Sequence, residues 1–154
     1  METGNLMIDA QYAFARERRR RRFEDLRRRV LDRARQNRLV WIGDTIDPGA
    51  PASRRELGVR AIPLDSIVGT VESGKAKAFD SHFRAPSTSR TRWERIWMAE
   101  RRGHAVPPIS VYRLGDEHFV DDGHHRVSVA HALGMAEIDA EVIALDPAPV
   151  AAAT

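Results

Sequence analysis

The chain contains no cysteine among its 154 residues. That absence excludes disulfides, thiolate zinc sites, cysteine nucleophiles and thiol redox chemistry carried by this sequence. Aromatic residues are few, at 6%, and those near the start (Tyr12, Phe14, Phe23) are too thinly spread to stack successive unpaired bases. No apolar run approaches the ~18 residues of a membrane span. The Arg-rich start also lacks the apolar stretch of a secretory signal. A cytoplasmic setting with no membrane span is the expectation. Glycine and proline are missing altogether between Leu6 and Val40.

What is there is unevenly charged. Residues 1–38 hold 12 arginines against 6 acids, whereas the whole chain has 25 Lys+Arg and 22 Asp+Glu. The other 116 positions therefore hold 13 basic and 16 acidic residues, a difference of −3. A basic arm precedes a mildly acidic body. With Arg, Ala, Leu and Glu dominating and no helix breaker, the arm is expected to be one long helix. Ile8, Tyr12, Ala15, Phe23, Leu26, Val30 and Ala34 recur at helical spacing and make one apolar stripe, interrupted at Arg19. Arg18, Arg19, Arg20, Arg21 and Arg22 cannot share one face, because successive residues turn by about 100°. Three uses of the arm stay open: packing on the body or pairing with a second copy as a homodimer, contacting DNA or RNA phosphates, and lying on a membrane surface.

The turn-rich stretch Asp47-Pro48-Gly49-Ala50-Pro51 marks a break. The expected division is a helical arm at 1–46, a linker at 47–58, a compact domain at 59–146 and a disordered tail at 147–154. The candidate core elements all lie after Ala61, so the arm is expected to be dispensable for folding. In the domain, residues 59–64 read as a strand, 64–68 as a helical turn and 69–90 as a polar loop. Residues 90–102 read as a helix with a Thr91/Glu94 capping box and an apolar face of Trp93, Ile96 and Trp97. A hairpin of 109–114 and 117–121 follows, then a helix to Leu133 and a strand around Ile138, Ala140 and Val142.

The chemistry concentrates at Asp121-Asp122-Gly123-His124-His125-Arg126, a strand end, a glycine turn and a helix start. Gly123 lets the backbone approach a ligand closely. The free N–H groups of the first helical turn attract an anion. Arg126 can hold phosphate through two parallel hydrogen bonds, and an imidazole can donate to it or move a proton. Asp121 and Asp122 would repel phosphate unless Mg2+ intervenes, or unless one of them caps the helix. Adjacent histidines face different directions and make a poor shared metal site, and Ser128 shows no triad partner.

From Arg60 to Leu145 the sequence resembles the ParB/sulfiredoxin superfamily, specifically the nucleotide-binding domain of ParB-type proteins. The resemblance is carried by Ala61-Ile62-Pro63-Leu64-Asp65-Ser66-Ile67, Pro108-Ile109-Ser110-Val111, Gly123-His124-His125-Arg126 and Ile138-Asp139-Ala140-Glu141-Val142. It implies an α/β (α+β) fold, a small mixed sheet with helices, here preceded by a long basic helix. It also implies a phosphate-loop role for Gly123, His124, His125 and Arg126, with CTP or ATP and Mg2+ as ligand. ParB's helix-turn-helix and dimerisation domains have no counterpart after the last strand.

The expected function is a nucleotide-binding module, nucleic-acid-associated through Arg18 to Arg22 or regulatory. The alternatives are a hydrolase, phosphotransferase or nuclease with His124 or Glu72 as acid/base and Asp121 and Asp122 on Mg2+, and a structural module with a decayed pocket. Because His124 stands where sulfiredoxins keep their reactive cysteine, the expectation is also that the chain is not a sulfiredoxin.

Overall fold

The computed structural model describes residues 2–31, 38–47 and 51–147. Four helices are α1 (Leu6–Leu31), α2 (Ser73–Ala78), α3 (Arg90–Arg101) and α4 (His124–Ala132). Six strands are β1 (Val40–Trp41), β2 (Ala52–Pro63), β3 (Ile67–Thr70), β4 (Ile109–Leu114), β5 (Glu117–Asp122) and β6 (Glu137–Pro147). They form one sheet in the order β1-β3-β5-β4-β6-β2. β1, β3 and β5 run parallel, the β4–β5 hairpin is antiparallel, β4 and β6 are parallel, and β6 and β2 are antiparallel. This is a small mixed α/β fold with an N-terminal helix. Among the described residues no helix is long and apolar enough to cross a membrane.

The strands show why the sheet has one packed face. In β6, Ala140, Val142 and Ala144 are buried while Asp139 and Glu141 are exposed, the alternation that period-two geometry imposes on a half-covered sheet. Central β5 is buried at His118, Phe119 and Val120 in succession. Trp93 on α3 joins three helices and is fully buried. Its ring meets Phe14 of α1 edge-on at 5.4 Å, and its Nε1–H donates to Ser128 Oγ of α4 at 2.9 Å.

Several expectations need correction. The stretch expected as linker is strand from Ala52 onward, paired with β6 from Ala52 opposite Pro147 to Pro63 opposite Glu137. The loop expected over 69–90 contains the end of β3, the helix α2 and a short 3-10 turn at Ser87–Ser89. No Thr91/Glu94 capping box forms: Ser89 is the N-cap, and Glu94 instead pairs with Arg90 at 2.8 Å. The 64–68 turn is present as a 3-10 turn at Leu64–Ser66.

The arm differs most. Ile8, Tyr12, Phe23 and Leu26 of the apolar stripe face solvent, with Phe23 69% exposed. The buried side carries Asp9, Ala10, Ala13, Phe14 and Glu17. Small alanines let α1 lie close on α3, Phe14 fills the contact with Trp93, and Met7, Ile8, Tyr12, Phe23 and Leu26 are left outside. The helix therefore belongs to the core and is not a separable arm. Ala34, the side chain of Val30, residues 48–50 of the expected linker and residues 148–154 of the expected tail lie outside the described residues.

Candidate functional site

β5 ends at Asp122 and α4 begins at His124, so Gly123 must turn the chain within a single residue. It does so at φ 115°, a left-handed conformation that L side chains disfavour. A Cβ at Gly123 would also run into Ile109 Cγ2 and lie 2.8 Å from Ile109 Cβ. Two independent constraints thus require glycine here. Gly123 supplies no side-chain cap, so the first-turn N–H groups of α4 keep their donor capacity.

These groups open on a cleft of about 370 Å3. Its lining brings together Glu72, Asp121, Asp122, Gly123, His124, His125 and Arg126, every residue that sequence reasoning placed near the phosphate loop. It adds Lys75 from α2 and Arg92, Arg95 and Ile96 from α3, which sequence reasoning missed. Lys75, Arg92 and Arg95 make no ion pair among the described residues. Cations on helix surfaces carry no sequence pattern that distinguishes a cleft from open solvent.

His124 and His125 are almost wholly buried, at 4% and 9% exposed. His124 Nε2 lies 2.7 Å from Thr70 Oγ1. The Thr70 hydroxyl donates to the Val120 carbonyl at 3.2 Å and accepts the Glu72 N–H at 3.0 Å. At 2.7 Å from Nε2 this bond ties α4 to the end of β3 in either tautomer of His124. His125 Nε2 lies 2.7 Å from Ser89 Oγ, at the start of α3. Phe79 packs on both rings, with centroids 5.7 Å from His124 and 5.2 Å from His125.

Burial first, and then the positive charge of Lys75, push both imidazoles down to about 4. Repulsion from His125 adds to this at His124 and repulsion from Arg92 at His125, while Asp122 opposes it at His124. Both rings are therefore neutral at neutral pH. They clip α4 to the β3–α2 turn and to α3, and so fix the cleft walls.

Arg126 is held elsewhere than expected. Its Nη1 donates to the carbonyls of Pro107 at 2.6 Å and Pro108 at 2.9 Å, and its Nη2 bonds Asp122 Oδ2 at 2.9 Å. Three hydrogen bonds thus engage a group with five N–H donors. Arg126 anchors the connection into β4 and retains only part of its capacity for a ligand.

Asp122 is spent on that pair. Asp121 and Glu72 form no ion pair among the described residues. The described residues contain no group of three or more His, Asp or Glu side chains that could hold a metal ion. The donor set suits Mg2+ only in its phosphate-borne form, with one or two protein carboxylates and the ligand's oxygens completing the shell.

The five expected arm arginines do not act together. Arg18 Nη1 donates to the Ala85 carbonyl at 3.3 Å and Arg21 Nη1 to the Arg84 carbonyl at 3.1 Å, both facing the body. Arg20 pairs with Glu17 at 3.2 Å, and Glu17 also meets Arg84 Nε at 3.4 Å. Arg19 and Arg22 are exposed.

No protein-family model matches the chain, and no curated protein matches it either. The chain is similar to a solved sulfiredoxin from Arabidopsis thaliana, at 17% identity over 55% of this chain and 82% of that one, with a TM-score of 0.42. It is also similar to a conserved hypothetical protein from Pyrococcus furiosus, at 18% identity and a TM-score of 0.40, over 57% of this chain and 33% of that one. These likenesses concern the fold, and none is specific to ParB. They correct the expectation, drawn from His124 in place of a cysteine, that the chain is not a sulfiredoxin. A sulfiredoxin is one of the structures it is similar to, and that expectation is withdrawn.

Proposed function

We propose that the chain is a nucleotide-binding module that takes the phosphates of a CTP- or ATP-like ligand, with Mg2+, in the cleft at the start of α4. One observation carries the reading: an uncapped helix N-terminus and three cations without ion pairs among the described residues, Lys75, Arg92 and Arg95, face the same cleft. A helix start supplies oriented N–H donors and a partial positive charge, and the cations supply the rest of the neutralisation. The resemblance of Gly123-His124-His125-Arg126 to the ParB phosphate box points to the same ligand class. In this reading Lys75, Arg92 and Arg95 bind phosphate oxygens. His124 and His125 are positioning residues, and Arg126 is chiefly an anchor. Glu72 and Asp121 would hold the phosphate-bound Mg2+ from the protein side.

Melting the protein with CTP, ATP, pyrophosphate or the free nucleosides, each with and without Mg2+, tests this. A ligand that prefers the folded state raises the melting temperature with its concentration. The phosphorylated compounds should raise it and the nucleosides should not. A flat response to every phosphate compound would refute the reading.

A further inference from the structure

We propose that the outward face of α1 is a docking surface for an anionic lipid bilayer. Of the seven large apolar residues exposed on the described protein, Met7, Ile8, Tyr12, Phe23 and Leu26 belong to this one helix. At about 100° per residue, Ile8, Tyr12, Phe23 and Leu26 fall on a single stripe away from the buried side of α1, with Tyr12 at the rim of a cleft that Trp97 and Arg101 of α3 also line. The stripe is about 27 Å long at 1.5 Å per residue. Clustered exposed apolar residues mark an interaction surface more reliably than scattered ones.

The charges on α1 are sorted between the same two sides. Asp9 and Glu17 are buried toward the body, and Glu24 and Asp25 are half-buried. Arg16, Arg19 and Arg22 are exposed beside or within the apolar stripe and make no ion pair among the described residues. A second copy set against this face would bring its own arginines onto these with no acid between them. A nucleic acid would satisfy the arginines and leave Phe23 and Leu26 against polar backbone. An anionic bilayer satisfies both: apolar side chains enter the boundary between headgroups and acyl chains, and guanidiniums reach out along their stems to lipid phosphates.

Co-sedimentation of the full chain with lipid vesicles tests this at low and high salt. The wild type should sediment with phosphatidylcholine vesicles containing phosphatidylserine, and not with phosphatidylcholine alone. Raising the salt should weaken the association. The double variant Phe23→Ser/Leu26→Ser should associate at least about tenfold less, since each buried apolar group contributes to interfacial binding. Both positions face solvent, so the variant should melt as the wild type does. No sedimentation with the anionic vesicles, or equal sedimentation of the double variant, overturns the proposal. So does binding of a DNA duplex that the double variant retains, or a wild-type dimer that it disrupts, because these assign the face to nucleic acid or to a second copy.

Discussion

His124 on α4 and Thr70 at the end of β3 are joined by a 2.7 Å hydrogen bond, although they lie 54 residues apart in the chain. The same hydroxyl accepts the backbone N–H of Glu72 and donates to the Val120 carbonyl. One oxygen thus holds together the loop that carries Glu72, the strand that precedes Gly123 and the helix that opens the cleft.

Thr70→Val keeps the shape and removes those bonds. It leaves a buried His124 nitrogen unpaired and removes the partner of the part-buried Glu72 N–H. Unmet buried polar groups cost about 1–3 kcal/mol. Urea unfolding should therefore show a loss in that range, with ligand affinity at the cleft falling as well. Unchanged stability would mean that the Thr70 hydroxyl is not the joint described here.

Stability should depend on pH in a defined window. His124 and His125 titrate near 4 in the folded protein, whereas an unfolded histidine titrates near 6.5. Between those values the unfolded chain binds more protons, so stability rises with pH there. The contribution is complete above about 6.5 and is lost as pH falls toward 4, by up to about 3 kcal/mol per histidine. Burial lowers His118 and His131 as well, which acts with the same sign. Denaturant midpoints from pH 7.5 down to 4.5 should fall, and fall less steeply in His125→Gln. A profile flat across that range, or one that the variant leaves unaltered, would contradict the burial of these rings.

Two phenylalanines on α1 should respond in opposite ways. Phe14→Ala removes a buried ring from its edge contact with Trp93 and should cost about 3–5 kcal/mol. Phe23→Ala alters an exposed side chain and should stay within about 0.5 kcal/mol. Removing residues 2–31 should abolish cooperative unfolding, because Trp93 would lose its cover. A larger loss for Phe23→Ala than for Phe14→Ala would show that α1 turns its other face to the body.

The legible and illegible parts of this sequence differ for physical reasons. The first half of β4 and the helix around Trp93 and Trp97 could be read because burial there follows the period of the element, and the Gly115-Asp116 turn then marks β5 as its hairpin partner. β2 between Ala52 and Gly58 could not. It is an edge strand, exposed or half-buried at every one of those positions, and so shows no alternation. The buried side of α1 is not legible because Ala10 and Ala13 fill close helix contact with little volume, whereas the larger Ile8 and Phe23 face solvent. At the cleft, the residues from Asp121 to Arg126 are contiguous in sequence and could be found. Lys75, Arg92 and Arg95 reach the same cleft only through tertiary packing. Arg126 lines the cleft, but the carbonyls of Pro107 and Pro108 that occupy its Nη1 leave no trace in the sequence.

Titration calorimetry of the wild type and of Arg92→Ala/Arg95→Ala with CTP and with ATP, in the presence of Mg2+, tests the central claim most directly. Both arginines are exposed on α3, so the variant should keep its fold. A charge-assisted contact to phosphate contributes about 1.5–3 kcal/mol, and each 1.4 kcal/mol is a factor of about ten. Loss of even one such contact should therefore weaken binding by about tenfold or more, with inorganic pyrophosphate affected in parallel. Absence of binding by the wild type, or equal affinities for the two proteins, would contradict a phosphate-binding cleft at the start of α4.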